Sequence, residues 1–149
     1  MTPLLTLLLA AAALQPVSES AYPNLIHANK GHVVVINFWA TWCGGCRHEM
    51  PSLLDFEKRY SAKGVRLLLI SADEISDEPK ARAFLESLDG PPATWIKSAK
   101  DDDAFIRAVD PKWSGTLPST FVYDRQGRLA KSFTGEIDVK ELENAVRGL

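Results

Sequence analysis

At 149 residues, with 46% apolar and 24% charged side chains, the chain has the makeup of one globular domain able to bury a core. A formal net charge of −2 with no basic block argues against nucleic acid as a partner. With two cysteines in all, the chain has no second cysteine pair to complete a four-ligand structural zinc site.

Met1 to Leu14 carries no charged side chain and is dominated by Leu and Ala. That is the length of a signal-peptide apolar region and too short for a membrane span. Ala10 to Ala13 supplies the small residues of an A-x-A cleavage site, although no Lys or Arg stands in front. The expected organisation is therefore a secretory signal over 1–20, a loose leader with Pro23 over 21–30, and one domain over 31–149.

Val33 to Trp39 is β-branched and aromatic and reads as a buried strand. It runs into Trp42-Cys43-Gly44-Gly45-Cys46, which holds both cysteines. Sulfurs at this spacing can close a disulfide only across a tight turn, which Gly44-Gly45 permits sterically. From Arg47 to about Ala62, Met50, Leu53, Leu54, Phe56 and Tyr60 recur at helical spacing. Strand, Cys-x-x-Cys, then helix places Cys43 at a helix N-terminus, where backbone N–H groups and the helix dipole favour a thiolate. A redox dithiol is the leading reading of these residues. The alternatives are a structural disulfide, whose short loop would remove little unfolded-state entropy, and a metal site.

Val65 to Ile70 is a second buried strand. Ser76 or Asp77 can cap a helix with Pro79 in its first turn and the stripe Ala81, Phe84, Leu85, Leu88. Asp89-Gly90-Pro91-Pro92 breaks it. A short strand over Ala93 to Lys97 precedes a helix containing Phe105, Ile106 and Val109, opened by Asp101-Asp102-Asp103. Ser119 to Tyr123 is a strand, Asp124-Arg125-Gln126-Gly127 a hairpin turn, and Arg128 to Phe133 its partner. Asp138 with Glu141 has capping-box spacing ahead of the stripe Val139, Leu142, Val146. Strands separated by helices, then a hairpin and a helix, predict an α/β fold whose mixed sheet is covered on both faces.

Asn37-Phe38-Trp39-Ala40-Thr41-Trp42-Cys43-Gly44-Gly45-Cys46, Glu49-Met50-Pro51 and Gly115-Thr116-Leu117-Pro118-Ser119-Thr120-Phe121 together resemble the thioredoxin superfamily. Within it they resemble the TlpA/ResA-like branch of exported thiol-disulfide oxidoreductases. The resemblance spans Gly31 to the C-terminus and implies a thioredoxin-like fold with an insertion between the second strand and the strand after Pro118. It implies that Cys43 attacks, that Cys46 resolves, and that Pro118 is a cis-proline whose loop presents the backbone of Leu117 to substrate. A cis X-Pro bond costs only about 0.5–1 kcal/mol. Asn37 stands where cytosolic thioredoxins carry a buried Asp, and Asn does not titrate. Glu49, one turn after Cys46, is the candidate to move the proton; its other reading is a solvated surface carboxylate.

Trp42 is expected to shield the dithiol and touch partners, Trp39 to lie in the core, and Trp113 to pack near the proline loop. His27, His32 and His48 read as surface residues. The expected function is reduction of protein disulfides outside the cytoplasm, in the periplasm or an equivalent exported compartment. Disulfide-containing proteins would be the substrates and a membrane-borne thiol reductant the electron source; no cofactor is required and the chain is expected to be a monomer. The alternative is a metallochaperone holding Cu(I) on Cys43 and Cys46, because soft thiolates suit that ion. Copper-delivery proteins of this fold use a longer cysteine spacing and a distal His, and no His follows His48.

Overall fold

A computed structural model describes residues 13–88 and 94–149. Six strands form one sheet: β1 (Gln15–Val17), β2 (Val33–Trp39), β3 (Val65–Ser71), β4 (Thr94–Lys97), β5 (Ser119–Tyr123) and β6 (Leu129–Thr134). Their spatial order is β1-β4-β3-β2-β5-β6. The first four run parallel, β5 is antiparallel to β2, and β6 is antiparallel to β5. Among the described residues five α-helices cover it: α1 (Tyr22–Ala28), α2 (Gly44–Tyr60), α3 (Glu78–Glu86), α4 (Asp102–Val109) and α5 (Val139–Val146).

β2 explains the two-sided arrangement. All seven of its residues are buried, and alternate side chains point to opposite faces. Val33, Val35 and Trp39 join a core with Met50, Leu53 and Phe56 of α2, Ala81 and Leu85 of α3, and Leu142 and Val146 of α5. Val34, Ile36 and Phe38 join a second core with Tyr22 and Ile26 of α1 and Phe105 and Val109 of α4. The mixed sheet with helices on both faces is the architecture expected from the order of elements, and the long segment between β3 and β5 holds α3, β4 and α4.

The leader is corrected. Residues 21–30 do not form a loose approach: Tyr22–Ala28 is α1, and the Tyr22 hydroxyl is bonded to the Tyr123 hydroxyl at 2.7 Å. Gln15–Val17, inside the segment expected as signal, pairs in parallel with Trp95–Lys97, and Leu14 and Val17 are buried. The domain therefore includes Leu14 onward. The rest of the expected signal, 1–12, and the expected helix break at Asp89 to Pro92 lie outside the described residues. No described helix is long and apolar enough to cross a membrane.

Candidate active site

The β2–α2 junction builds the site. α2 begins at Gly44, earlier than the apolar stripe alone predicts, because Cys43 acts as its N-cap with extended backbone (φ −93°, ψ 105°). Its Sγ accepts the Cys46 N–H at 3.2 Å. Sulfur thereby occupies the place a capping oxygen usually takes, facing the free N–H groups of the first turn. Cys43 and Cys46 form a disulfide with their Cα atoms 5.3 Å apart. Cys43 is 8% exposed and Cys46 fully buried, so Cys43 is the one of the pair nearer the surface. α2 continues through Pro51, which has no N–H to offer the Arg47 carbonyl.

The Leu117–Pro118 peptide bond is cis. Pro118 is buried, and its carbonyl accepts the Gly135 N–H at 2.8 Å. A Cβ placed on Gly45 would meet Pro118 Cδ at 3.7 Å and Glu136 Cγ at 3.2 Å, so the proline loop and Glu136 both lie against the turn between the cysteines. Glu136 also meets His48 Nδ1 at 2.6 Å, above a histidine that is exposed as expected.

Glu49 lies on the buried side of α2. It is 4% exposed, which removes the solvated-surface reading. Oε1 accepts from Asn37 Nδ2 at 2.9 Å and Oε2 accepts the Ile137 N–H at 2.9 Å. Burial pushes its carboxyl above the ordinary value; the two N–H donors oppose this, and the charge of Glu136 adds to the rise. Asn37 also donates to Thr120 Oγ1 at 3.1 Å, while its Oδ1 is a buried acceptor with no partner among the described residues. Cys46, three residues before Glu49, is on the same side of the helix and equally buried, so a protonatable carboxyl and the buried thiol share one interior face.

Trp42 is 72% exposed beside the nearly buried Cys43, an unusual place for an indole. With Phe38, Phe105, Trp113 and Leu117 it lines an apolar groove of about 160 Å³. Trp113 packs near the proline loop as expected: its ring lies on Phe38 at 4.8 Å, and its Nε1 donates to Thr116 O and Ser119 Oγ. Trp39 is in the core. A larger hollow, 630 Å³, lies between β6 and α5 and contains neither sulfur.

Sequence reasoning passed over Asp73 and Glu136. Asp73 follows the carboxyl end of β3, where an open α/β sheet gathers its functional loops, and that position was the available signal. Glu136 comes to the site only through the return of β6, and nothing local marks it.

A cysteine-capped helix after the central strand of a mixed sheet, with a cis-proline loop lying against the turn between the cysteines, defines a thioredoxin-like protein with a Cys-x-x-Cys disulfide. A family model described as Redoxin matches residues 10–147, and the chain belongs to that family. It is similar to the thiol-disulfide oxidoreductase ResA of Bacillus cereus, 31% identical over 114 residues, 76% of this chain and 61% of the relative. It is also similar to the thioredoxin-like protein YneN of Bacillus subtilis, 30% identical over 115 residues, 76% of this chain and 63% of that one. The chain thus spans somewhat under two thirds of the length of these relatives. Among solved structures, a secreted thiol-disulfide isomerase from Corynebacterium glutamicum superposes with a TM-score of 0.70 at 23% identity, covering 80% of this chain and 71% of that one.

Proposed function

We propose that this chain is a thiol-disulfide oxidoreductase that reduces protein disulfides outside the cytoplasm. The observation that carries the reading is the Cys43 sulfur at the cap of α2, in the less buried of the two cysteines, with Cys46 fully buried behind it. In the reduced protein the Cys43 thiolate attacks one sulfur of a target disulfide, and the other target sulfur leaves as a thiolate. The Cys46 thiol gives up its proton and attacks the Cys43 sulfur, releasing the second target thiol. One target disulfide becomes two thiols, and Cys43–Cys46 becomes the disulfide. Glu49 acts in its ionised form as the acceptor of the Cys46 proton, and its burial, which raises its affinity for a proton, supports that role. Trp42 and the Leu117 backbone are the surfaces offered to the target.

A membrane-borne thiol reductant restores the dithiol, since an oxidising compartment offers no cytosolic reductase. The apolar segment ahead of Leu14 and the described secreted protein of the same fold support export, with cleavage on the N-terminal side of Leu14 so that β1 is retained. The working form is a monomer.

Cys46→Ser in the native host should accumulate mixed disulfides through Cys43, and Cys43→Ser should accumulate none. Glu49→Gln should slow release of the mixed disulfide at least several-fold while leaving the first attack near the wild-type rate. No trapped species, together with failure of the purified dithiol to reduce insulin, would overturn the reading.

A further inference from the structure

Asp73 is 2% exposed and remote in sequence from the cysteines, yet it grips the segment leading into Cys43. Its Oδ1 accepts the Thr41 hydroxyl at 2.6 Å. Its Oδ2 accepts the Thr41 N–H at 3.0 Å and the Ser71 hydroxyl at 2.6 Å. The Asp73 N–H returns to Ser71 Oγ at 3.1 Å. Beside it, Ala72 N donates to Trp39 O at 2.7 Å, extending the β2–β3 pairing to the same level. Thr41 is thereby held at backbone and side chain by the neighbouring strand. Two residues on, the Cys43 N–H closes the turn onto Ala40 O at 3.1 Å, and the Cys43 sulfur reaches the Cys46 N–H. A buried carboxylate is costly unless its lone pairs are used, and here both oxygens are occupied by donors.

We propose that Asp73 is a positioning residue of the dithiol site: through Thr41 it sets the turn that holds the Cys43 sulfur at the cap of α2, and so sets how readily Cys43 ionises. The meaning of this for turnover rests on the oxidoreductase reading, but the chemistry does not. Two effects of Asp73 oppose each other. Its negative charge disfavours a thiolate nearby, whereas its grip on Thr41 keeps the sulfur against the N–H groups that favour one. The grip prevails because the capping contact at 3.2 Å is direct, while the Asp73 charge is spread over the hydrogen bonds donated by Thr41 and Ser71. The other titratable or charged groups around the turn are Arg47, His48 and Glu49 of α2, Glu136 before α5, and Lys80 of α3 in its pair with Asp77; none is altered in the test.

The test is the pH dependence of Cys43 alkylation by iodoacetamide in the fully reduced full chain, read by mass spectrometry at first addition. Thr41→Val removes the hydroxyl bond and leaves the charge; Asp73→Asn removes the charge and disturbs the grip. Both should raise the alkylation midpoint by about one pH unit, roughly tenfold less thiolate at a fixed pH below it. Thr41→Ser, which keeps the hydroxyl, should behave as wild type. A lowered midpoint in Asp73→Asn with Thr41→Val unmoved would assign Asp73 a charge effect and overturn the proposal. Unmoved midpoints with a lower melting temperature would reduce the network to a stabilising one and overturn it too. If Asp73→Asn does not fold, the Thr41 pair decides alone. A chain that reduces no protein disulfide yet shows these midpoint shifts would lose the oxidoreductase reading and keep this one.

Discussion

Glu49 shows what one residue's surroundings do to its chemistry. Its position on α2 leaves open whether the side chain meets water or core; the return of the Gly135–Ile137 segment closes it in, with the Ile137 N–H on Oε2. A carboxyl whose value is raised above 4.5 on folding binds its proton more tightly in the folded state. Its contribution to stability is then complete below about pH 4.5 and is lost as pH rises through the raised folded value. Glu49→Gln does not titrate, so its melting temperature should gain on the wild type as pH goes from about 4 to about 8. A difference independent of pH would show that Glu49 titrates as an ordinary surface acid. Asn37 was legible as the residue replacing a titrating Asp, but its link to Glu49 and its unpartnered Oδ1 come only from folding.

Among elements, β2, β3, β5 and α2 were legible because their patterns are strong: apolar β-branched or aromatic runs for the strands, helical spacing after Cys46 for the helix. β1 and α1 were not. Pro16, Ser18, Ser20 and Pro23 read locally as loop, and the only signal was Tyr22 and Ile26 at i,i+4 spacing. The hairpin turn at Asp124–Gly127 was legible from its residue types; Gly127 takes φ +81° and Asp124 Oδ1 accepts from Gln126 N and Arg128 N. Those donors, the Arg128 N–H foremost, hold the Asp124 carboxyl below its usual range. Arg125 in that turn ties three distant ends together, donating to Gly31 O, Lys63 O and Leu149 O. Arg125→Ala should cost about 1–2 kcal/mol in denaturant unfolding. Arg125→Lys should recover little of it, because one ammonium cannot match the planar fork that reaches three carbonyls. Full recovery by Lys would mean that charge alone matters there.

At the scale of the whole molecule, the sheet edge at β1 decides where the domain begins. Leu14 and Val17 are buried, Leu14 N donates to Glu78 Oε1 at 3.1 Å, and β1 pairs with β4. The chain shortened by residues 1–12 keeps β1 and is the reference for a longer truncation. Deleting 1–20 removes the strand and two buried apolar side chains, and should cost about 3 kcal/mol or more, at about 1.5–3 kcal/mol for each side chain of this size. Equal stability of the two truncations would return β1 to the leader.

By itself, the sequence determined the dithiol and the sheet's central strands, because Cys-x-x-Cys after an apolar run and period-two burial are local properties of the chain. It also determined which proline stands before β5. The tertiary structure decided which carboxylates count. Glu49 became interior when Ile137 folded over it, Asp73 became a clamp when β3 aligned with β2, and Glu136 met Gly45 and His48 when the hairpin returned. Each of these depends on contacts between segments far apart in the chain, and a carboxylate's burial and partners are set by those contacts alone.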